Sequence, residues 1–180
     1  MNKLIYVSGG CRSGKSHYAQ QRLESLPGKR AYLATCPQID AEMEQRIVKH
    51  QQQRAHKGWE TIEAPLDLAG AIEQAHGFDF LLVDCLTLWV NNLLYEAEQQ
   101  GIILTEEAIS HRGVELVNAC RKTNQTIIFV SNELGMGLVP ADPVSRRYRD
   151  CLGRCNQTLA TRADEVVFMV SGLPLILKEG

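Results

Sequence analysis

Residues Gly9-Gly10-Cys11-Arg12-Ser13-Gly14-Lys15-Ser16 satisfy every fixed position of the pattern G-x-x-x-x-G-K-[ST]. This pattern restricts the fold because it works only between a strand and a helix. Its glycines let successive backbone N–H groups turn toward phosphate oxygens, its lysine reaches the β- and γ-phosphates, and its final hydroxyl can ligate Mg²⁺. The flanks agree: Leu4-Ile5-Tyr6-Val7 is a short apolar, β-prone run, and Ser16 to Leu23 continues as a helix whose amino end faces the anion. A nucleoside triphosphate is the implied ligand class.

The 180 residues suit one domain with a core large enough to need no metal or disulfide, and residues 1–180 are read as that single domain. A hydrophobic content of 44%, a charged content of 22% and a net charge of −2 are ordinary globular values, and they give no general attraction to nucleic acid. The first residues are too polar for a secretory signal, and no apolar run approaches the ~20 residues of a membrane span. A cytoplasmic enzyme is the expectation. The six cysteines, at 11, 36, 85, 120, 151 and 155, contain no C-x-x-C pair and no zinc spacing, so reduced, packed thiols are expected. Cys11 and Cys36 differ only in lying near the nucleotide site.

Strand-like runs recur at Leu4–Val7, Ala31–Ala34, Phe80–Val83, Thr126–Val130 and Val166–Val170. Trp59–Ile62 offers a further short strand, and Leu175–Leu177 a closing hairpin strand. Helical stretches separate them, at Ser16–Leu26, Asp40 to about Ala55, Leu66–Ala75, Leu86–Gln99, Thr105–Lys122 and Pro143–Arg162. The alternation predicts an α/β fold with a mainly parallel sheet. Asp142 before Pro143, and Thr105 before Glu106 and Glu107, are helix-start signals. Ligands of such sheets sit at the carboxyl ends of the strands, which selects the loops Ser8–Ser16, Thr35–Ile39, Asp84–Thr87 and Ser131–Pro140.

Asp84 ends the apolar run Phe80-Leu81-Leu82-Val83, where a phosphate-loop protein places a carboxylate toward Mg²⁺ opposite Ser16. On a helix, Arg46, His50 and Arg54 fall within an arc of about 80°. Two guanidinium groups there suit phosphate oxygens, and their charge keeps an intervening imidazole neutral and nucleophilic. The spacing alone equally describes a histidine at the edge of a packed face with two solvated arginines, the commoner outcome for such triplets. Glu133, with Gly135 and Gly137 after it, forms either a shaped loop orienting a substrate hydroxyl or a structural turn. Arg146, Arg147 and Arg149 fit a solvated face better than phosphate or subunit contacts.

Several blocks together resemble the bifunctional adenosylcobinamide kinase / adenosylcobinamide-phosphate guanylyltransferase family. They are the phosphate loop, Tyr32-Leu33-Ala34-Thr35, Asp40-x-Glu42-Met43-x-x-Arg46-Ile47-x-x-His50, and Asp84-Cys85-Leu86-Thr87-Leu88-Trp89-Val90-x-Asn92-Leu93-Leu94. Ser131 to Pro140, Arg149-Asp150-x-Leu152-Gly153-Arg154-x-Asn156-Gln157, Ala163 to Val167 and Ser171-Gly172-Leu173-Pro174 continue them. The resemblance implies a P-loop NTPase with a RecA-like, mainly parallel sheet, helices on both faces and an antiparallel edge strand, assembled as a homotrimer. It implies phosphorylation of adenosylcobinamide by ATP or GTP, then transfer of GMP from GTP through a covalent histidine-GMP to the cobinamide phosphate, giving adenosylcobinamide-GDP.

By the same resemblance His50 is the nucleophile and Lys15 the second catalytic residue. Gly9, Gly10, Cys11, Arg12, Ser13, Gly14, Lys15, Ser16, Ala34, Thr35, Cys36, Gln51, Gln52, Gln53, Arg54, Glu63 and Asp84 are nucleotide contacts, with Ser16 and Asp84 on Mg²⁺. The run Gln51-Gln52-Gln53-Arg54-Ala55 departs from the more basic pattern, with an Arg-Pro pair, common in relatives. Lys49 stands where some relatives carry a first of two histidines, which leaves His50 as the candidate in that block. The competing readings are a single-activity small-molecule kinase without guanylyl transfer, a non-catalytic or RecA-type nucleic-acid module, against which the net charge of −2 argues, and an interaction protein that keeps the nucleotide fold.

Overall fold

The computed structural model describes residues 2–36 and 57–180. Among them, in chain order, are β1 (Lys3–Gly9), α1 (Lys15–Glu24), β2 (Arg30–Ala34), β3 (Trp59–Glu63), α2 (Leu68–Gln74), β4 (Phe80–Asp84), α3 (Leu86–Gln99), α4 (Glu106–Arg121), β5 (Thr126–Asn132), α5 (Pro143–Arg162), β6 (Glu165–Val170) and β7 (Leu173–Lys178). The strands form one sheet in the order β3-β2-β4-β5-β1-β6-β7. Every pairing is parallel except β6 with β7. The predicted helix from Asp40 to about Ala55 lies outside the described residues.

Both faces of the sheet are covered, which is why its central strands are continuously apolar. In β1, Leu4, Ile5, Tyr6 and Val7 are each at most 3% exposed. The pleat sends Leu4 and Tyr6 into a core with Leu68 and Ile72 of α2, Trp89 of α3, Leu116 of α4 and Leu152 of α5. Ile5 and Val7 point the other way, into a smaller cluster with Ala19 and Leu23 of α1. Among the described residues no helix is long and apolar enough to cross a membrane.

Local signals account for the helix ends. α3 and α5 have the predicted bounds, and the Asp142 carboxylate accepts the Ser145 N–H at 2.8 Å. The Thr105 hydroxyl caps α4 by accepting the Ala108 N–H. The predicted start of α2 at Leu66 is two residues early, because Asp67 caps the helix through the Gly70 N–H, at 2.9 Å. The Leu66 carbonyl instead accepts the Trp89 indole N–H, at 2.7 Å. β7 is longer than predicted, because a two-residue turn with φ of 51° at Ser171 and 85° at Gly172 begins pairing at once.

Glu165, at the start of β6, binds the Arg22 guanidinium through both carboxylate oxygens and the Lys3 ammonium at 3.0 Å. These bonds join α1, β1 and β6 at the end of the sheet opposite the phosphate loop. The hydrogen bonds from Arg22 hold the carboxyl below its usual range, against burial that opposes ionisation. Its folded-state pKa is therefore below the unfolded value of about 4.3, so its contribution to stability is full above that pH and is lost as pH falls through the folded value. Glu165→Gln should lower stability at pH 7 by about 2 kcal/mol. Urea unfolding of the variant should also lose part of the wild-type pH dependence below about pH 4.3.

Candidate active site

Strand register assembles the site. One rung carries Glu63 of β3, Ala34 of β2 and Asp84 of β4 side by side. On the other side of β5, Gly9 ends β1 level with Asn132 and with Met169 of β6. These carboxyl ends make one rim, and the phosphate loop rises from it into α1. Gly9 has no room for a side chain: a Cβ there would stand 2.5 Å from the Met169 carbonyl oxygen and 2.8 Å from Ser13 Oγ. Gly14 caps α1 in the left-handed conformation.

Lys15 is 7% exposed, and its ammonium donates to the Gly10 carbonyl at 2.6 Å and to Ser13 Oγ at 3.5 Å. Burial pushes its pKa down, while the nearby Cys85, Asp84 and Cys11 favour its charge. A cation held under the loop with part of its hydration removed has much to gain from an anionic ligand. Cys11 and Arg12 are exposed at the loop, Ser13 is buried, and Ser16 and Asp84 are partly buried. The Cys85 thiol is pushed up to about 11 by burial, which leaves it a packed thiol and a poor nucleophile.

Thr35 is fully buried. Its hydroxyl donates to the Cys85 carbonyl and accepts the Cys85 N–H, both at 2.8 Å. Asn92 of α3 donates to the Thr35 carbonyl at 2.8 Å and the Pro65 carbonyl at 3.0 Å. Thr35 therefore locks the exit of β2 to the exit of β4, beside Asp84. Cys36 follows it, partly buried, and Glu63 is exposed at the end of β3.

A second polar frame holds the loop after β5. Thr87 Oγ1 accepts the Asn132 N–H at 2.8 Å, and the Thr87 carbonyl accepts the Tyr148 hydroxyl at 3.1 Å. Asn156 accepts from Ser131 Oγ at 2.7 Å and donates to the Asn132 carbonyl at 2.9 Å. The next residue ties this frame to the phosphate loop, through the Glu133 N–H to the Gly9 carbonyl at 2.9 Å. Glu133 shapes the loop as well, since its carboxylate accepts the Gly135 N–H at 2.7 Å. Arg146 donates to the carbonyls of Pro140 and Ala141, so it braces this loop from within. Arg147 is exposed, and Arg149 lies 3.6 Å from Asp150.

His50, Gln51, Gln52, Gln53 and Arg54 lie outside the described residues, as does Arg46. Sequence reasoning assigned no role to Thr87, Asn92, Tyr148 or Asn156. Asn92 and Asn156 carried a usable signal: an amide within the apolar stripe of a helix must find partners in the core.

A parallel sheet with a lysine-bearing phosphate loop between β1 and α1 defines a P-loop nucleotide-binding fold of the RecA-like kind. A KaiC-like protein from Pyrococcus horikoshii shares this fold, with a TM-score of 0.56 at 11% identity over 99% of this chain and 79% of the other. Residues 5–177 match the family described as cobinamide kinase / cobinamide phosphate guanyltransferase. The bifunctional adenosylcobalamin biosynthesis protein CobP of Pseudomonas aeruginosa is 41% identical over 96% of this chain and 95% of its own length. The corresponding CobU proteins of Salmonella typhimurium and Escherichia coli are 38% and 36% identical, each over 97% of this chain and 99% of their own length. The chain belongs to the cobinamide kinase / cobinamide phosphate guanyltransferase family and is an enzyme of the transferase class.

The frame around Asn156 has a measurable cost of removal. Asn156→Leu removes the group that accepts from the buried Ser131 hydroxyl and donates to the partly buried Asn132 carbonyl, and should destabilise the protein by about 1–3 kcal/mol in urea unfolding.

Proposed function

We propose that this single domain performs both reactions named for its family, on adenosylcobinamide and then on its phosphate, as a cytoplasmic enzyme of adenosylcobalamin assembly. The observation that carries the reading is the meeting, at one rim, of the phosphate loop, Asp84 and the loop of Asn132 and Glu133. The chain leaves this rim through Ala34, Thr35 and Cys36 toward the segment that bears His50.

In the first reaction the loop Gly9 to Ser16 holds the triphosphate of ATP or GTP, and Lys15 stabilises charge on the β- and γ-phosphate oxygens. The hydroxyl oxygen of the cobinamide aminopropanol arm attacks the γ-phosphorus, its proton passes to water, and the nucleoside diphosphate leaves. In the second reaction a neutral His50 imidazole attacks the α-phosphorus of GTP and pyrophosphate departs. The phosphate oxygen of adenosylcobinamide phosphate then displaces the histidine, giving adenosylcobinamide-GDP. Ala34, Thr35, Cys36, Gln51, Gln52, Gln53, Arg54 and Glu63 are assigned to the nucleotide, with Thr35 acting through the backbone its hydroxyl fastens.

Mg²⁺ fits the donor chemistry at the rim. The Ser16 hydroxyl and Asp84 carboxylate are hard oxygen donors, and Asp84 is close enough for its charge to act on Lys15. A bound Mg²⁺ would neutralise phosphate charge. Mg²⁺ is ordinarily held by one or two protein oxygens, with substrate phosphates and water completing its octahedron, and Ser16 and Asp84 suffice for that share.

Incubation with α-labelled GTP tests the reading directly. The wild-type protein should acquire an acid-labile, base-stable label, and His50→Ala should lose it by about 10³-fold or more while still phosphorylating adenosylcobinamide. Lys15→Ala should lower phosphorylation by about 10²-fold or more. Phosphorylation with no label in the wild-type protein would favour a single-activity kinase.

We also assign a homotrimer. The number three is what the family resemblance implies, and β7, an edge strand exposing Leu173, Leu175, Ile176 and Leu177 at 40–71%, supports self-association. Such an edge needs cover. Sedimentation equilibrium should give three times the chain mass of 20.1 kDa. Leu175→Lys with Leu177→Lys should shift the protein toward monomer.

A further inference from the structure

The turn between β6 and β7 reaches the phosphate loop. The Gly172 N–H donates to the Ser13 carbonyl at 3.0 Å, and Gly172 Cα lies 3.3 Å from where a Cβ on Gly14 would stand. In a two-residue hairpin with positive φ at both turn residues, the closing hydrogen bonds run between the flanking residues, here Val170 and Leu173. The Gly172 N–H therefore has no duty within its own hairpin. It is directed at the loop instead.

The peptide after Ser13 is planar, so its C=O and the following Gly14 N–H point in opposite directions. Holding the Ser13 carbonyl toward the hairpin turns the Gly14 N–H away from it, and loops of this kind bind anions through such freed backbone N–H groups. Lys15 follows directly, and its ammonium is held by Gly10 on the same loop. We propose that Gly172 is a positioning residue for the phosphate loop, its N–H orienting the Ser13–Gly14 peptide so that the loop presents a preformed donor to a nucleoside triphosphate. This rests on the reading that Gly9 to Ser16 hold the triphosphate.

Glycine at 172 serves its backbone angle, since a Cβ there would meet nothing within 4 Å. Gly172→Asn therefore keeps both the N–H and a tolerated positive φ. The N–H itself is removed by an amide-to-ester replacement. A synthetic segment starting at Cys155, ligated at that cysteine to the preceding chain and refolded, carries glycolic acid in place of Gly172. ATP and GTP are each titrated against this protein, the all-amide ligated protein, Gly172→Asn and Lys15→Ala, with thermal unfolding recorded for all.

For each nucleotide whose binding depends on Lys15, the ester should weaken affinity about three- to tenfold while Gly172→Asn stays within about twofold of wild type. Unchanged affinity in the ester protein, with Lys15→Ala still impaired, overturns the role of Gly172 and leaves the phosphate-loop reading standing. Equal losses in the ester and the asparagine variant also overturn it, since they place the effect on the shape of the hairpin. Binding of both nucleotides that ignores Lys15→Ala removes the reading beneath it.

Discussion

The groups described at the site hang from the carboxyl ends of parallel strands, and the hydrogen-bond register between those strands sets their mutual positions. Ala34 pairs with both Glu63 and Asp84, and Gly9 with both Asn132 and Met169. Burial on two faces enforces that register. Slipping β1 by one residue would exchange Leu4 and Tyr6 with Ile5 and Val7, between a core facing four helices and a cluster facing α1. The chemistry at the rim is thus held in place by apolar packing that lies below it.

Packing sets where strands end, while buried polar groups set how the chain leaves them. Thr35 and Asn92 fasten the exits of β2 and β4, and Thr87 and Asn156 fasten the exit of β5. In a low-dielectric interior each of these groups would be costly unpaired, so their partners follow from satisfaction of donors and acceptors as much as from shape. Lys15 obeys the same rule, with the Gly10 carbonyl and Ser13 hydroxyl as its partners.

Much of this architecture is legible along the chain because its causes are local. Asp142 with Pro143 marks the start of α5, Thr105 the start of α4, and the apolar run Phe80 to Val83 marks β4. Local signals mislead where a distant partner decides the outcome. Leu66 looks like the first residue of α2, yet its carbonyl serves the indole of Trp89. Arg146 looks like a solvated or ligand-seeking charge, and it braces the carbonyls of Pro140 and Ala141. The pairing of the Thr35 hydroxyl with the backbone of Cys85 is likewise a distant contact that no local spacing announces.

By itself the sequence determined the phosphate loop, its flanking strand and helix, the parallel α/β class and the family, because these depend on residue types at short, regular spacings. It also singled out His50, whose identity is a matter of motif. The tertiary structure decided which loops share the rim, that Asn92 and Asn156 tie those loops down, and that the β6–β7 turn touches Ser13. Such relations join residues far apart in the chain. They are settled by strand order and by the pairing of buried donors with acceptors, neither of which leaves a periodic trace in the sequence.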